Sequence, residues 1–299
     1  MYQSCMLCPR RCGANRTKGQ TGYCGADDQM RLGRAYLHQW EEPCLSGTRG
    51  AGTVFFCHCS LRCVFCQNAV ISGSDAAQSG ILVSVSELAD TFLSLQEQGA
   101  HNIDLVTPTH YAPSIADAIA LARTRGLTIP TVWNSSGYES VETLHCLDGL
   151  IDIYLPDFKY YSTYYAERYS AAPDYFDIAC EAIDEMVRQT GLPQYNADGI
   201  MTRGTLIRHL ILPGLTGESI ALLDWIHDSL PAGVPVSLMR QYIPCNNVAI
   251  KGLDRPITPR EYRRVRDHML ALGLPGFVQE KAAASAEFVP LFGRDESYV

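Results

Sequence analysis

The sequence contains no run of 18 apolar residues, so it offers no segment able to cross a bilayer as a helix. Its first residues, Met1-Tyr2-Gln3-Ser4-Cys5, lack a basic stretch followed by an apolar one. A secretory signal is therefore not expected there, and a cytoplasmic location is. Positive charge is in short supply. Lys and Arg number 24 against 32 Asp and Glu, a formal net charge of −8. An acidic surface repels phosphate backbones, so neither nucleic acid nor a membrane is an expected partner. The one local basic group, Arg255, Arg260, Arg263, Arg264 and Arg266, reads as the solvated face of a helix. No repeat of fixed period and no low-complexity tract appears, which removes solenoids and long linkers. What remains is a folded chain with 46% hydrophobic and 19% charged residues, long enough at 299 residues for a substantial core.

Cysteine is abundant, with 12 residues. In a reducing compartment, clustered thiols bind metal or do chemistry more often than they form disulfides. Three parts can be read along the chain: a Cys-rich segment over 1–50, a long alternating region over 51–272 and a C-terminal extension over 273–299. Short, nearly continuous apolar runs predict strands over 53–57, 103–107, 129–134, 151–155, 205–212 and 234–239, with one more near Phe277-Val278-Gln279. Between them lie helices with start and stop signals. Ser84-x-x-Glu87 predicts a capping box and Gly99 a stop; Ser114 predicts the cap of a helix ending at Gly126. A further helix is expected from about Pro173 to Gly191, with Ala179, Ile183 and Met186 facing inward. Thr258-Pro259-x-Glu261 opens another. Strands alternating with helices predict an α/β fold with a parallel sheet, as an open doubly wound sheet or as a complete or partial (β/α) barrel. Either arrangement gathers chemistry at the C-terminal strand ends.

The first strand runs into Cys59-Ser60-Leu61-Arg62-Cys63-Val64-Phe65-Cys66. Three thiolates spaced this closely can ligate three irons of a [4Fe–4S] cluster and leave the fourth iron open. An open position marks a catalytic metal, whereas a structural site is saturated. The competing readings are a zinc site completed by His58 or Cys57, or free core thiols.

Cys-x3-Cys-x-aromatic-Cys after the first strand, with Phe65 as the aromatic, resembles the signature of the radical S-adenosylmethionine (SAM) superfamily. Further segments resemble the branch related to pyruvate formate-lyase activating enzyme that carries an N-terminal cysteine motif. They are Cys5-Met6-Leu7-Cys8-Pro9-Arg10-Arg11-Cys12, Gly22-Tyr23-Cys24-Gly25, Glu41-Glu42-Pro43, Phe65-Cys66-Gln67-Asn68, Leu105 to His110, Asn134-Ser135-Ser136-Gly137-Tyr138 and Tyr154 to Lys159. The resemblance covers roughly residues 5–245. It implies a partial (β/α)6 barrel with a small Cys-rich metal-binding segment, a [4Fe–4S] cluster on Cys59, Cys63 and Cys66, and SAM on the open iron. It also implies reductive cleavage of SAM to a 5′-deoxyadenosyl radical, with electrons from flavodoxin or ferredoxin. Activating enzymes carry Gly-Gly-Glu after the second strand; Thr107-Pro108-Thr109-His110 stands there in this chain. By the same resemblance Thr107, Thr109, His110, Asn134, Ser135, Asp157 and Lys159 bind SAM or a monovalent cation near it, with Lys159 as a point charge for the SAM carboxylate. An alternative for Asp157 and Lys159 is a simple ion pair at a strand end. His209 lies mid-strand, facing either way.

Cys5, Cys8, Cys12 and Cys24 supply four thiolates, enough for a saturated zinc site or a second Fe–S cluster. Cys44, Cys57, Cys146 and Cys180 are expected as buried, unreactive thiols; Cys245, after the sixth strand, reads as a free core thiol, with a pocket-facing position as the alternative. Three functions compete. The first is a radical SAM activase that places a glycyl radical on a partner enzyme. The second is a radical SAM enzyme acting on a small molecule or a peptide side chain. The third is a non-enzymatic metal-binding module.

Overall fold

Strands with no polar face need cover on both sides, and that requirement organises this chain. The structure is a computed structural model and describes residues 1–73, 76, 79–245, 250 and 252–279. Its first half comprises β1 (Met30–His38), α1 (Pro43–Ser46), β2 (Ala51–Phe56), α2 (Ala69–Ser72), β3 (Ile81–Val83), α3 (Val85–Glu97), β4 (Ile103–Val106), α4 (Ala112–Thr124), β5 (Thr131–Ser135) and α5 (Val141–His145). The second half comprises β6 (Ile153–Pro156), α6 (Thr163–Ser170), α7 (Tyr175–Thr190), β7 (Gln194–Tyr195), β8 (Met201–Thr205), β9 (Ile207–Leu210), α8 (Thr216–Ser229), β10 (Val236–Met239), α9 (Pro259–Ala271) and β11 (Gly276–Val278).

Every residue of β2, β4, β5, β6 and β10 is buried, as parallel strands between helices require. β2, β4, β5, β6 and β8 pair in parallel in that order, and β9, β10 and β11 continue in parallel. β8 and β9 form a nearly continuous strand. A bridge from Asp157 to Arg208 carries the pairing from the end of β6 onto β9. Among the described residues β2 and β11 do not pair, so the parallel set stays open as a partial barrel. The six strands expected from sequence are present, with ends displaced by a residue or two. β11 is the strand expected near Phe277, and residues 280–299 of the extension lie outside the described residues.

Two apolar clusters hold the helices to the sheet. Leu88, Phe92 and Leu95 of α3 and Ile115 and Ile119 of α4 pack on Ile103 and Leu105 of β4. Ile183 of α7, Leu222 and Leu223 of α8 and Val265 and Met269 of α9 pack with Ile207 of β9 and Val236 of β10. Both expected capping boxes form, at Ser84 with Glu87 and at Thr258 with Glu261. Ala179, Ile183 and Met186 are fully buried as expected, while Arg260 and Arg263 are exposed on the solvated face of α9.

Three local expectations fail. Ser114 does not cap α4; the helix begins at Ala112 and the Ser114 hydroxyl meets that of Tyr2 at 2.9 Å. The 1–50 segment, for which no strand is predicted, carries one: β1 runs antiparallel along β2, and a register shift between Leu32 and Arg34 interrupts its alternation. Cys146 is exposed at the end of α5, where the chain leaves the core, and Cys180 is half-buried; Cys44 and Cys57 are buried. Among the described residues no helix is long and apolar enough to cross a membrane.

Candidate functional site

The parallel strands run in one direction, and β2, β4, β5, β6, β9 and β10 deliver polar or sulfur-bearing side chains at or just beyond their C-terminal edge. A cavity of about 180 Å³ opens at that edge. Its lining includes Cys59, Cys63 and Cys66 after β2, Thr107 after β4, Asn134 and Ser135 at the end of β5, and Asp157 and Lys159 after β6. Arg208 of β9 and Gln241 beyond β10 complete the polar wall, with Phe65, Val106, Leu212 and Tyr242 among the apolar ones.

The cysteine loop is folded back on itself by two residues in the left-handed region, His58 (φ 74°) and Arg62 (φ 54°). The Cys66 amide closes a turn onto the Cys63 carbonyl at 3.0 Å. Each of the three sulfurs accepts a hydrogen bond. Leu61 N–H donates to Cys59 Sγ at 3.3 Å, the Ser170 hydroxyl to Cys63 Sγ at 3.1 Å and the Ser72 hydroxyl to Cys66 Sγ at 3.4 Å. Burial, joined by the thiols of Cys63 and Cys59, pushes Cys66 up to about 12. Burial also raises Cys59, although Lys159 pulls the other way. Thiols held this way give up their protons to a bound cation rather than to solvent.

The donor set can be tested against the cluster its spacing suggests. Among the described residues, no three His, Cys, Asp or Glu side chains converge as tightly as a single metal ion demands. A cubane places its thiolates on different irons, so its ligands stand apart around it. Three spaced thiols at a cavity edge, each already receiving a donor, fit such a cluster better than a lone zinc.

The same cavity edge holds a charged network. Lys159 Nζ is 2.6 Å from Asp157 Oδ2, and Arg208 Nε is 3.0 Å from Asp157 Oδ1. Arg208 also donates to Glu41 at 3.2 Å and to Asn134 Oδ1 at 2.7 Å. Burial works to raise Asp157, but the Arg208 and Lys159 charges outweigh it and hold the carboxyl below its ordinary value. Burial wins at Glu41, Glu42 and Asp104, whose carboxyls are raised. Asp157 is thus the ionised partner of the two cations. Neither Arg208 nor Asp104 carries a sequence signal that marks it for this network. Arg208 sits mid-strand, where its direction depends on register.

The expected site residues divide. Thr107, Asn134, Ser135, Asp157 and Lys159 reach the cavity. Thr109 turns away and donates to buried Glu139 at 2.6 Å. His110 also lies outside the cavity lining; its Nε2 donates to the Cys57 carbonyl at 2.7 Å, and burial lowers it to about 3, so it is neutral. His209 faces the helices: Nδ1–H donates to the Phe158 carbonyl at 2.7 Å and Nε2 accepts from Ser219 at 2.8 Å. Cys245 donates to the Phe65 carbonyl at 3.3 Å, behind the aromatic of the loop.

Cys5, Cys8 and Cys24 are buried and Cys12 is exposed. Burial pushes Cys8 up to about 12, with Cys24 and Cys5 adding to the effect, while Cys24 in turn feels Cys5 and Cys12. Cys12 Sγ lies 3.9 Å from the Cys5 carbonyl, yet among the described residues no three of these thiols converge as tightly as a single metal ion demands. Buried Arg16 ties this segment to the strand ends, donating to the Asp27 carbonyl, to Cys5 Sγ at 3.8 Å and to the His110 carbonyl at 2.5 Å.

No protein-family model matches the chain. The uncharacterized protein MJ0674 of Methanocaldococcus jannaschii is 31% identical over 251 residues, which is 82% of this chain and 67% of that protein. Among solved structures, a radical SAM methyltransferase from Sphaerobacter thermophilus superposes with a TM-score of 0.54 at 14% identity, over 77% of this chain and 66% of that one. HydG, a maturase of the [FeFe]-hydrogenase, superposes with a TM-score of 0.50 at 15% identity, over 74% of this chain and 54% of that one. The chain thus spans less than two thirds of either solved structure. It belongs to the same family as the Methanocaldococcus jannaschii protein, and its fold is that of the radical SAM enzymes.

Proposed function

We propose that this protein is a radical SAM enzyme. The observation that carries the reading is the meeting of Cys59, Cys63 and Cys66 with Thr107, Asn134, Ser135, Asp157 and Lys159 around one cavity at the C-terminal strand ends. In this reading Cys59, Cys63 and Cys66 would hold a [4Fe–4S] cluster and leave one iron open for SAM. Bound there, the cluster would supply the one-electron reductive chemistry by which SAM becomes a source of hydrogen-abstracting radicals.

The chain's own residues bind and shield. Lys159 offers a cation to the SAM carboxylate while Asp157 holds it in place. Thr107, Asn134 and Ser135 offer hydroxyl, amide and backbone groups to the SAM amine, or to a monovalent cation beside it. Phe65, Val106, Leu212 and Tyr242 exclude water from that space. Residues 51–272 would form the catalytic unit and 1–50 a metal-binding segment, with zinc or a second Fe–S cluster on Cys5, Cys8, Cys12 and Cys24. Flavodoxin or ferredoxin would supply electrons. The sequence resemblance favours an activase that generates a glycyl radical on a partner protein. The replacement of Gly-Gly-Glu by Thr107-Pro108-Thr109 favours instead a small molecule or a peptide side chain as substrate.

The test is anaerobic reconstitution with iron and sulfide, followed by dithionite and SAM. The expected product is 5′-deoxyadenosine. Replacing Cys59, Cys63 and Cys66 together by Ala is expected to remove about four irons per chain, the content of one [4Fe–4S] cluster, and all product. Unchanged iron in that variant would show the ligand assignment to be wrong.

A further inference from the structure

Ser170 is 2% exposed and closes α6, and its hydroxyl lies 3.1 Å from Cys63 Sγ. A hydroxyl has one hydrogen, so the Tyr160 hydroxyl, 2.7 Å from Ser170 Oγ, must be the donor of that second contact. Ser170 makes this contact from inside the protein, while Cys63 itself lines the cavity. The position of the bond therefore depends on what fixes the end of α6 against the cysteine loop.

Arg10 fixes it. This residue lies between Cys8 and Cys12 of the N-terminal segment, yet its guanidinium spans three carbonyls elsewhere. Nε donates to Ser60, inside the cysteine loop, at 3.0 Å. One terminal nitrogen donates to Ser170 at 2.9 Å and the other to Ala171. The last two carbonyls belong to the C-terminal turn of a helix, where carbonyls lack intrahelical partners and a cation is favoured. Ala171 holds the left-handed conformation (φ 47°) that turns its chain toward the clamp. The Arg10 fork also lies 4.0 Å from the centre of the Tyr23 ring and 5.2 Å from that of Tyr138. A planar group held by three acceptors and two rings has one orientation.

We propose that Arg10 is a positioning residue through which the N-terminal cysteine segment sets the Ser170–Cys63 hydrogen bond, and with it the reduction potential of the Fe–S cluster. The proposal deepens the functional reading above and rests on it. A donor to a cluster thiolate stabilises the electron-rich reduced state and so raises the potential.

The experiment is a redox titration of the reconstituted full-length chain, followed by the electron paramagnetic resonance of the reduced cluster, with iron and sulfide counted in parallel. Ser170→Ala is expected to move the midpoint to a more negative value at unchanged iron content. Ser170→Thr, which keeps the hydroxyl, is expected to stay near the parent. Arg10→Lys, which cannot span three carbonyls, is expected to move the midpoint the same way, by less than Ser170→Ala. The double variant is expected to move no further than Ser170→Ala alone, because both changes act through one bond. An unmoved midpoint in Ser170→Ala or in Arg10→Lys, or additive shifts in the double variant, overturns the proposal while leaving the functional reading intact. A parent chain that takes up no [4Fe–4S] cluster overturns both. Where Arg10→Lys fails to fold, Arg10→Gln, which also cannot span three carbonyls, is read in its place, and the contrast of Ser170→Ala with Ser170→Thr tests the bond itself.

Discussion

Arg208 Nε and Asp157 Oδ1 stand 3.0 Å apart on neighbouring parallel strands, at the point where pairing passes from β6 to β9. The pair does two things at once. It stitches the two halves of the sheet together, and it keeps Asp157 ionised beside Lys159 at the cavity. Both side chains are less than one fifth exposed.

Replacing Arg208 by Met removes the cation and leaves the carboxylates of Asp157 and Glu41 facing each other without it. Breaking one side of a buried charge network costs about 3–5 kcal/mol, most of it from the charge left behind. Denaturant unfolding of the metal-free chain should show a loss of that order. A loss below about 1 kcal/mol would mean that the network is effectively solvated.

Glu139 should make stability depend on pH. Burial pushes its carboxyl up to about 7, against an ordinary value of 4.5. Between those values the folded chain holds a proton that the unfolded chain has lost. Stability therefore falls as pH rises through that window, and the full penalty is present above about 7. Glu139→Gln keeps the shape and cannot ionise. Between pH 5 and pH 8 the parent should lose roughly 2 kcal/mol more stability than Glu139→Gln. Parallel pH profiles for the two chains would contradict the assignment.

Thr107 stores strain at the cavity. It is β-branched, yet its φ is 59°, a region such residues rarely enter. Its amide donates to the Asn134 carbonyl at 2.9 Å, which holds it there. Backbone strain of this kind costs about 1–3 kcal/mol, and glycine relieves it at an entropic cost of its own. Thr107→Gly should therefore be about 1 kcal/mol more stable than the parent, and more stable than Thr107→Ala. The check is the midpoint of denaturant unfolding; a Gly variant less stable than the Ala variant would refute stored strain.

Much of the scaffold was legible in the residues. Runs such as Ile103-Asp104-Leu105-Val106 announce strands covered on both faces, and Ser84 and Thr258 announce helix starts through contacts three residues away. Ser114 misled because a hydroxyl in the first turn of a helix looks the same in sequence as one at its cap. β1 was missed because its register shift spoils the alternation that reveals an edge strand. At the site, Asp157 and Lys159 could be placed because they follow directly on a strand end. Arg208 and His209 could not, because neighbouring strand residues face opposite sides and only the pairing of β9 with β6 and β10 says which is which.

Local order alone thus determined where the helices start, which strands are buried and which three thiols share one loop, since each depends on residues within a few positions of one another. Tertiary structure decided the rest. It turned Thr109 and His110 away from the cavity, brought Glu41 to Arg208 across 167 positions, and set Arg10 of the N-terminal segment on Ser60 and Ser170. Such meetings depend on the parallel sheet aligning its strand ends at one edge, and no short stretch of sequence carries that alignment.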